Sequence, residues 1–423
     1  MERFLLRNIE NPNSADIEEY IKSGGYKNIS KAFELQPSDI IEEVKKSGLR
    51  GRGGAGFPTF MKWNFASADK KFPKYLICNA DEGEPGTFKD RPILEKNPHL
   101  LIEGMIISAY ALKAEHGYIY LRGEYPYAYD VLNKAIGDAY ERGFLGNNVL
   151  GKNIKFSLAV HLGAGAYICG EETALLDSLE GRRGQPRNKP PFPVNEGAWG
   201  MPTIVNNVET LANIPYIVGI GGDAYSKIGN PNSPGPKLYC VSGHVEKPGV
   251  YELPMGTSLK DIIYDHAGGI KDGKKLKAVF PGGISTPLLP ADCIDCAMDF
   301  VSMPKYGSML GAGSVIVMDE TVCMVKVAHR AMKFFEHESC GKCTPCREGT
   351  EWMRKILERI EKGWGRSEDI SLLADIANNI SGKSFCALGD GATSMMNSIL
   401  KHFRAEFEEH VKEKRCRFKQ KQF

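Results

Sequence analysis

Three cysteines, Cys340, Cys343 and Cys346, step along the chain as C-x-x-C-x-x-C, and a fourth, Cys386, stands alone well downstream. No other feature constrains the fold as tightly. The loop over residues 339–349 has to wrap three corners of a cube, and a remote segment has to return to close the fourth. The spacing therefore suits a [4Fe-4S] cluster and an electron-transfer role. A closed zinc site also takes four thiolates, but usually as two C-x-x-C knuckles, and three evenly stepped cysteines fit a cube better. Inert core thiols suit the run poorly, because Gly341, Lys342, Thr344 and Arg347 are interleaved with it. Cys293 and Cys296 form an isolated C-x-x-C that reads as structural or incidental. Cys78, Cys169, Cys240, Cys323 and Cys416 have no ligating spacing and are expected to be buried thiols.

A chain of 423 residues exceeds what one hydrophobic core normally supports, so two or three domains are expected. Its net charge of +2 gives no general pull toward nucleic acid or a membrane surface. No run of about 18 apolar residues is present, so no direct membrane insertion is expected. The opening residues lack an apolar signal region, which predicts a cytoplasmic location with reduced thiols. The 46 glycines are clustered, which points to loops that approach a ligand.

The first cluster follows a helical pattern, Ile40, Ile41 and Val44, and reads Gly51, Arg52, Gly53, Gly54, Gly56 before Phe57. The G-x-G-x-x-G within it is not an ordinary dinucleotide turn, because a helix rather than a strand precedes it. Its glycines let backbone approach a flat ring or a phosphate, Arg52 and Lys62 offer positive charge, and Phe57, Trp63 and Phe65 supply aromatic surface. Next, 74–78 reads as a short buried strand running into Asn79, Asp81, Glu82, Gly83 and Glu84, where carboxylates suit ribose or ribityl hydroxyls. A solvated acidic turn is the competing reading. Residues 94–112 carry helical periodicity.

A third loop has a strand before it, 154–160, and a helix after it, 174–180, with Gly163, Gly165, Tyr167, Gly170, Glu171 and Glu172 between. Two acids at that helix start would repel phosphate and favour hydroxyls, hence NAD over NADP. Lys189 and Phe192 put a cation and an aromatic on a proline-rich loop suited to an adenine face, or to a rigid connector. Asn206, Asn207 and Thr210 open a helical stretch, where capping alone would explain them. Residues 230–236 read as a linker. Short strands and a helix between 236 and 320 then suggest a small α+β unit of β-grasp (ubiquitin-like) type. Helices at 322–336, 352–362, 370–379 and 392–411 give the count of a bundle, with the cysteine loop joining the first two. The basic tail, 412–421, reads as a solvated end or a docking arm.

Residues 51–62, 79–91, 163–173 and the four cysteines together resemble the NADH-binding flavoprotein subunit of respiratory complex I, NADH:quinone oxidoreductase. The match spans nearly the whole chain. The resemblance implies an α/β multidomain fold: a Rossmann-like FMN- and NADH-binding domain over 1–235, a β-grasp domain over 236–320, and a helical bundle over 321–423 with the [4Fe-4S] cluster on Cys340, Cys343, Cys346 and Cys386. It implies FMN beside Gly51, Arg52, Gly53, Gly54, Gly56 and Lys62, with Asn79, Asp81, Glu82, Gly83, Tyr167, Gly170, Glu171, Glu172, Asn206, Asn207 and Thr210 at matching positions. It implies NADH at Phe57, Phe65, Glu84, Glu172, Lys189 and Phe192. Glu82 and Glu84 are the expected catalytic acids, either tuning flavin protonation or orienting ribose. The implied partners are a small [2Fe-2S] subunit and a large multi-cluster iron–sulfur subunit, in the peripheral arm of a membrane-bound complex. The diaphorase subunit of an NAD-linked hydrogenase or formate dehydrogenase shares these motifs and is the alternative within the class. One departure is Phe60, where the family commonly has glycine.

Overall fold

A computed structural model of the chain describes residues 3–418. It divides into two compact units: Met1–Gly83, Thr87–Tyr239 and Val250–Thr257 form the first, and Glu84–Gly86, Cys240–Gly249 and Ser258–Phe423 the second. Among the described residues no helix is long and apolar enough to cross a membrane.

The first unit is built on four parallel strands, β1 (Tyr75–Ala80), β2 (His116–Leu121), β3 (Ser157–Leu162) and β4 (Thr203–Asn207), in the order β3-β2-β1-β4. A parallel sheet is covered on both faces, and β1 accordingly presents a continuous buried run, Leu76, Ile77 and Cys78. The helix Pro98–Leu112 is mostly apolar, and every residue but Tyr110 is buried, His99 and Glu103 included. It comes so close to its neighbour that a Cβ on Gly104 would lie 2.1 Å from the Leu211 carbonyl oxygen. The expected single helix over 94–112 is in fact two, Asp90–Lys96 and Pro98–Leu112, because Pro98 ends the first and opens the second.

The chain moves from β1 outward to β2 and β3, then returns to the other side of β1 with β4. The carboxyl ends of β1 and β4 therefore flank the point where strand order reverses, the place where open α/β sheets bind ligands. Asn79 and Asn207 are register partners at that edge.

Residues 230–236 are not a linker. They hold a two-stranded ladder, β5 (Gly229–Asn230) and β6 (Ser233–Pro234), and residues 233–236 are buried. Turn-like composition concealed a packed segment whose Pro234 and Pro236 carbonyls accept bonds from Arg52. The amino-terminal segment is tied down as well: the Glu252 carboxylate accepts the backbone N–H groups of Phe4, Leu5 and Leu6 at 2.8, 2.9 and 2.8 Å.

The strands β7 (Pro236–Gly243) and β8 (Gly249–Pro254) are each divided between the two units. In the second unit, β10 (Leu289–Pro290), β9 (Leu276–Phe280), β11 (Ser314–Asp319) and the Cys240–Gly243 half of β7 lie side by side in that order; β11 runs parallel to β7 and antiparallel to β9. Four helices follow, Met324–Glu338, Thr344–Glu361, Asp369–Ile380 and Ala387–Glu413. The second starts earlier than its periodicity indicated, inside the cysteine run, because Pro345 suits the first turn of a helix. Of the basic tail, residues 419–421 lie outside the described residues.

Candidate functional site

A cleft of about 1250 Å³ opens in the first unit at the β1–β4 edge. Four of the sequence-predicted loops contribute to it. Gly51, Gly53, Gly56, Phe57, Lys62, Phe65, Asn79, Gly170, Glu171, Glu172, Lys189, Phe192, Asn206, Asn207 and Thr210 all line it.

The glycine loop lies between the helices Pro37–Lys46 and Thr59–Ala68, as the missing strand indicated. Gly54 and Gly56 adopt φ of 125° and 64°, which favours glycine. A Cβ on Gly53 would sit 3.2 Å from the Asn207 Cβ, so this floor of the cleft is bare backbone. Thr210 Oγ1 accepts the Arg52 backbone N–H at 2.8 Å and locks the loop to the helix after β4. Phe60 lies in the following helix and packs on the core.

Arg52 departs from its expected role. Its side chain is fully buried and absent from the cleft lining; Nη2 donates to the Pro234 and Pro236 carbonyls at 2.8 and 3.2 Å. Nε and Nη1 are buried without a hydrogen-bond partner.

Lys62 is one of two lysines in the cleft, and its Nζ donates to Glu172 Oε2 at 2.8 Å and to the Val205 carbonyl at 3.1 Å. Lys189 reaches Glu172 and Glu171 at 2.9 and 3.2 Å. The two acids expected to repel phosphate are thus matched by two lysines. Burial would raise the Glu172 carboxyl, but Lys62 and then Lys189 outweigh it and hold it at about 2. Glu171 caps the helix Glu172–Leu179, accepting the N–H groups of Thr173 and Ala174 at 2.9 Å each. Phe65 and Phe192 are both 52% exposed, leaving aromatic faces at the cleft.

Asn79 joins two loops by donating to the Gly170 carbonyl at 2.8 Å, and Gly83 packs under Tyr167 with room for no Cβ beyond 3.0 Å. Gly54, Asp81, Gly83 and Tyr167 stand outside the cleft lining, as does Glu82. Glu82 is buried and accepts from Asp90 N, Arg91 N and the Tyr125 hydroxyl at 2.9, 3.3 and 3.0 Å. A carboxylate at the start of the Asp90–Lys96 helix satisfies otherwise orphaned donors, and that is the place the fold gives Glu82. Glu84 belongs to the second unit, where it accepts from Ser285 N and Oγ at 2.8 and 2.6 Å.

No local pattern announces the buried charges behind Asn207. Lys89 lies 2.7 Å from Asp90 and 3.0 Å from Glu209, and Lys237 lies 2.7 Å from Glu209; all four side chains are essentially inaccessible. Lys89 and Asp90 also grip the Asn207 amide at 3.1 and 2.8 Å. Met61 at the cleft was missed too, although Phe57, Met61 and Phe65 recur at helical spacing.

In the second unit Cys340 and Cys343 lie near Cys346, and the residue before Cys386 contacts Cys343. Cys343 and Cys386 stand at the starts of the helices Thr344–Glu361 and Ala387–Glu413, and Cys346 sits in the first turn of the former. Two helix amino termini thus direct partial positive charge at the thiolates. Phe385 N donates to Cys343 Sγ at 3.3 Å, Ser339 Oγ lies 3.4 Å from Cys346 Sγ, and Arg347 closes the loop on the Gly341 carbonyl at 2.8 Å. Burial pushes the Cys346 thiol up, the Ser339 hydroxyl pulls against it, and Cys340 and Cys343 add to the rise. The donor set fits a [4Fe-4S] cluster, and the glycine-floored cleft with its lysines fits FMN.

Comparison with known proteins agrees. Residues 44–216 match the Nuo51 FMN-binding domain, 237–317 the SLBB domain, and 326–410 the NADH-ubiquinone oxidoreductase-F iron-sulfur binding region. The NADH-quinone oxidoreductase F subunit numbered 2 of Rhizobium meliloti is 55% identical over 99% of both chains. The F subunit of the Escherichia coli enzyme is 49% identical over 94% of this chain and 90% of its own. Among solved structures, an NAD+-reducing [NiFe]-hydrogenase in the H2-reduced state matches 97% of this chain and 67% of its own at 38% identity, with a TM-score of 0.85. The fold is accordingly mixed α/β with a parallel sheet and a helical carboxyl-terminal region, and the chain belongs to the family of NADH-quinone oxidoreductase F subunits.

Proposed function

We propose that this chain is the electron-input subunit of an NADH:quinone oxidoreductase, taking hydride from NADH in the cleft and passing electrons through its cluster to clusters of partner subunits. Its segments divide as a Rossmann-like nucleotide domain over 1–235, a β-grasp domain over 236–320 and a cluster-bearing bundle over 321–423, a division supported by the three family matches. The partners are a small [2Fe-2S] subunit and a large multi-cluster subunit, in the peripheral arm of a membrane-bound complex. Membership of the F-subunit family supports that assembly over the hydrogenase alternative, since identity is 49–55% to two such subunits and 38% to the hydrogenase chain.

The observation that carries this reading is the cleft. Its volume of about 1250 Å³ exceeds the roughly 300–1,000 Å³ typical of a single small-molecule site, so it has room for two ligands. FMN, when bound, supplies acceptance of a hydride and release of the two electrons singly. The side chains position and exclude. Gly51, Gly53 and Gly56 give a flat floor for the ring, and Lys62 offers a cation beside it. Phe192 offers a face to the adenine. Glu172, ionised throughout the physiological range, accepts hydrogen bonds from ribose hydroxyls and exchanges no proton. Chemistry of this kind needs aligned rings rather than acid–base residues, which agrees with the absence of Glu82 from the cleft.

Anaerobic visible spectra of the full chain, co-expressed with its small partner, test the proposal. Bleaching of a flavin band by NADH, over a broad iron–sulfur shoulder, is expected. A colourless protein indifferent to NADH would overturn it.

A further inference from the structure

The second unit holds a group of metal-ligating side chains that the cluster does not use. Cys323, Glu361, His410 and Cys416 each offer one ligand atom, and these four atoms all lie within 4.8 Å of one another. Cys323 Sγ lies 3.4 Å from His410 Nε2 and 4.0 Å from Glu361 Oε2, and His410 Nε2 lies 3.8 Å from Glu361 Oε2. With Zn–S of about 2.3 Å and Zn–N and Zn–O of about 2.0–2.1 Å, the edges of a tetrahedral site come to about 3.4–3.8 Å. The Cys323–His410 spacing already matches its edge to within about 0.2 Å, and the two spacings to Glu361 need to close by about 0.4–0.5 Å.

We propose that these four residues form a structural zinc site. Three further features favour it. The ring of His410 is almost fully buried and its Nδ1 lies 2.6 Å from the Glu406 carbonyl oxygen; Nδ1–H donates there, which leaves the Nε2 lone pair facing the two sulfurs. That outer hydrogen bond is the usual way a zinc-ligating histidine is oriented. Cys323 starts the helix Met324–Glu338, and its Sγ accepts the Lys326 N–H at 3.5 Å, so a helix amino-terminal donor faces the sulfur and offsets part of the burial that pushes this thiol up. Both cysteines are free, so no disulfide already joins them.

The site is separate from the iron–sulfur cluster. Cys343 and Cys346 open the helix Thr344–Glu361 and Glu361 closes it, and 15 residues of helix rise about 22 Å. Binding exchanges the two thiol protons for the cation, with His410 entering neutral and Glu361 as carboxylate, which leaves one net negative charge. All four positions are filled by protein, so the site has no open coordination place for catalysis. What it joins is clear from the sequence positions: the start of one bundle helix, the end of a second, the last turn of a fourth, and the segment beyond it.

The test uses the holo-chain with flavin and cluster intact. Elemental analysis after dialysis against EDTA, together with zinc K-edge X-ray absorption, reads the site independently of iron and of activity. One zinc per chain is expected, with two sulfur neighbours at about 2.3 Å and two lighter ones. Cys416→Ser should lower retained zinc at least about 10-fold with iron and flavin unchanged, and Glu361→Gln, on a partly exposed side chain, should weaken retention less because water can replace the carboxylate. A chain purified from zinc-replete cells with no bound zinc would overturn the proposal. So would an unchanged zinc shell in Cys416→Ser, or a Cys323–Cys416 disulfide found by peptide mapping of anaerobic protein.

Discussion

Glu209→Gln is the most informative single change in the first unit. Glu209 is inaccessible to solvent and accepts from Lys237 at 2.7 Å, Leu238 N at 2.8 Å and Lys89 at 3.0 Å. Gln keeps the shape and the Leu238 bond but removes the charge both lysines share. Burial already depresses Lys237 to about 8, with Glu209 resisting the fall. Without Glu209 it sheds its proton, and at pH 7 the further cost is bounded at about 1.4 kcal/mol, one pH unit at about 1.36 kcal/mol. Lys89 keeps Asp90 but loses a charge-assisted bond, worth about 1.5–3 kcal/mol. The sum, about 3–4 kcal/mol, agrees with the cost of breaking a buried ion pair. At about 2–4 °C per kcal/mol, the unfolding transition that releases flavin should fall by about 6–16 °C in calorimetry at pH 7. A lysine with a depressed folded value is neutral in the folded state between pH 8 and its ordinary value, so by pH 9 the Lys237 share of the penalty vanishes and the difference from wild type shrinks. Adding Lys237→Met should recover part of the loss. A shift under about 2 °C at pH 7, or one that does not shrink by pH 9, refutes the reasoning.

Phe192→Ala removes an exposed aromatic face worth about 1 kcal/mol, so KM for NADH should rise roughly 5-fold with kcat nearly unchanged in steady-state assays; a fall in kcat alone would remove Phe192 from the adenine site. Cys386→Ser should abolish the cluster's paramagnetic signal on reduction while flavin stays bound, and retention of the signal would displace Cys386 as the fourth ligand. Gly104→Ala drives a methyl into the Leu211 carbonyl and should destabilise the first unit by about 1–3 kcal/mol in denaturant titrations. Burial lowers buried His99 to about 4, so below pH 6.5 the unfolded chain takes up a proton the folded chain refuses. Stability from this group is full above pH 6.5 and lost down to pH 4, by about 3 kcal/mol, and the difference between wild type and His99→Gln melts should follow that course.

What was legible in the chain was chemistry carried by spacing. The cysteine steps, the glycine loops and the strand before Gly163 each declare themselves within a dozen residues, and most of the predicted binding positions meet in one cleft. What was hidden depends on partners remote in sequence. Arg52 looks like a phosphate ligand until its carbonyl partners 182 and 184 residues away are known. Glu82 looks catalytic because its own turn is acidic, yet it serves the helix start at Asp90. The strand β4 was concealed by Asn207, whose capping of the next helix made the whole stretch read as helical. Cys323 and Cys416 looked inert because no local spacing links them.

Glu252 holds three successive amide groups of the amino terminus, 246 to 248 residues away. During synthesis at about 5–20 residues per second, Phe4 waits about 12–50 s for that carboxylate to be made. In the interval the ribosome also produces residues 240–249, which belong to the other unit. The first unit therefore cannot complete itself in the order in which it is translated, and a truncation at residue 239, however natural as a domain cut, would leave its opening segment without an anchor.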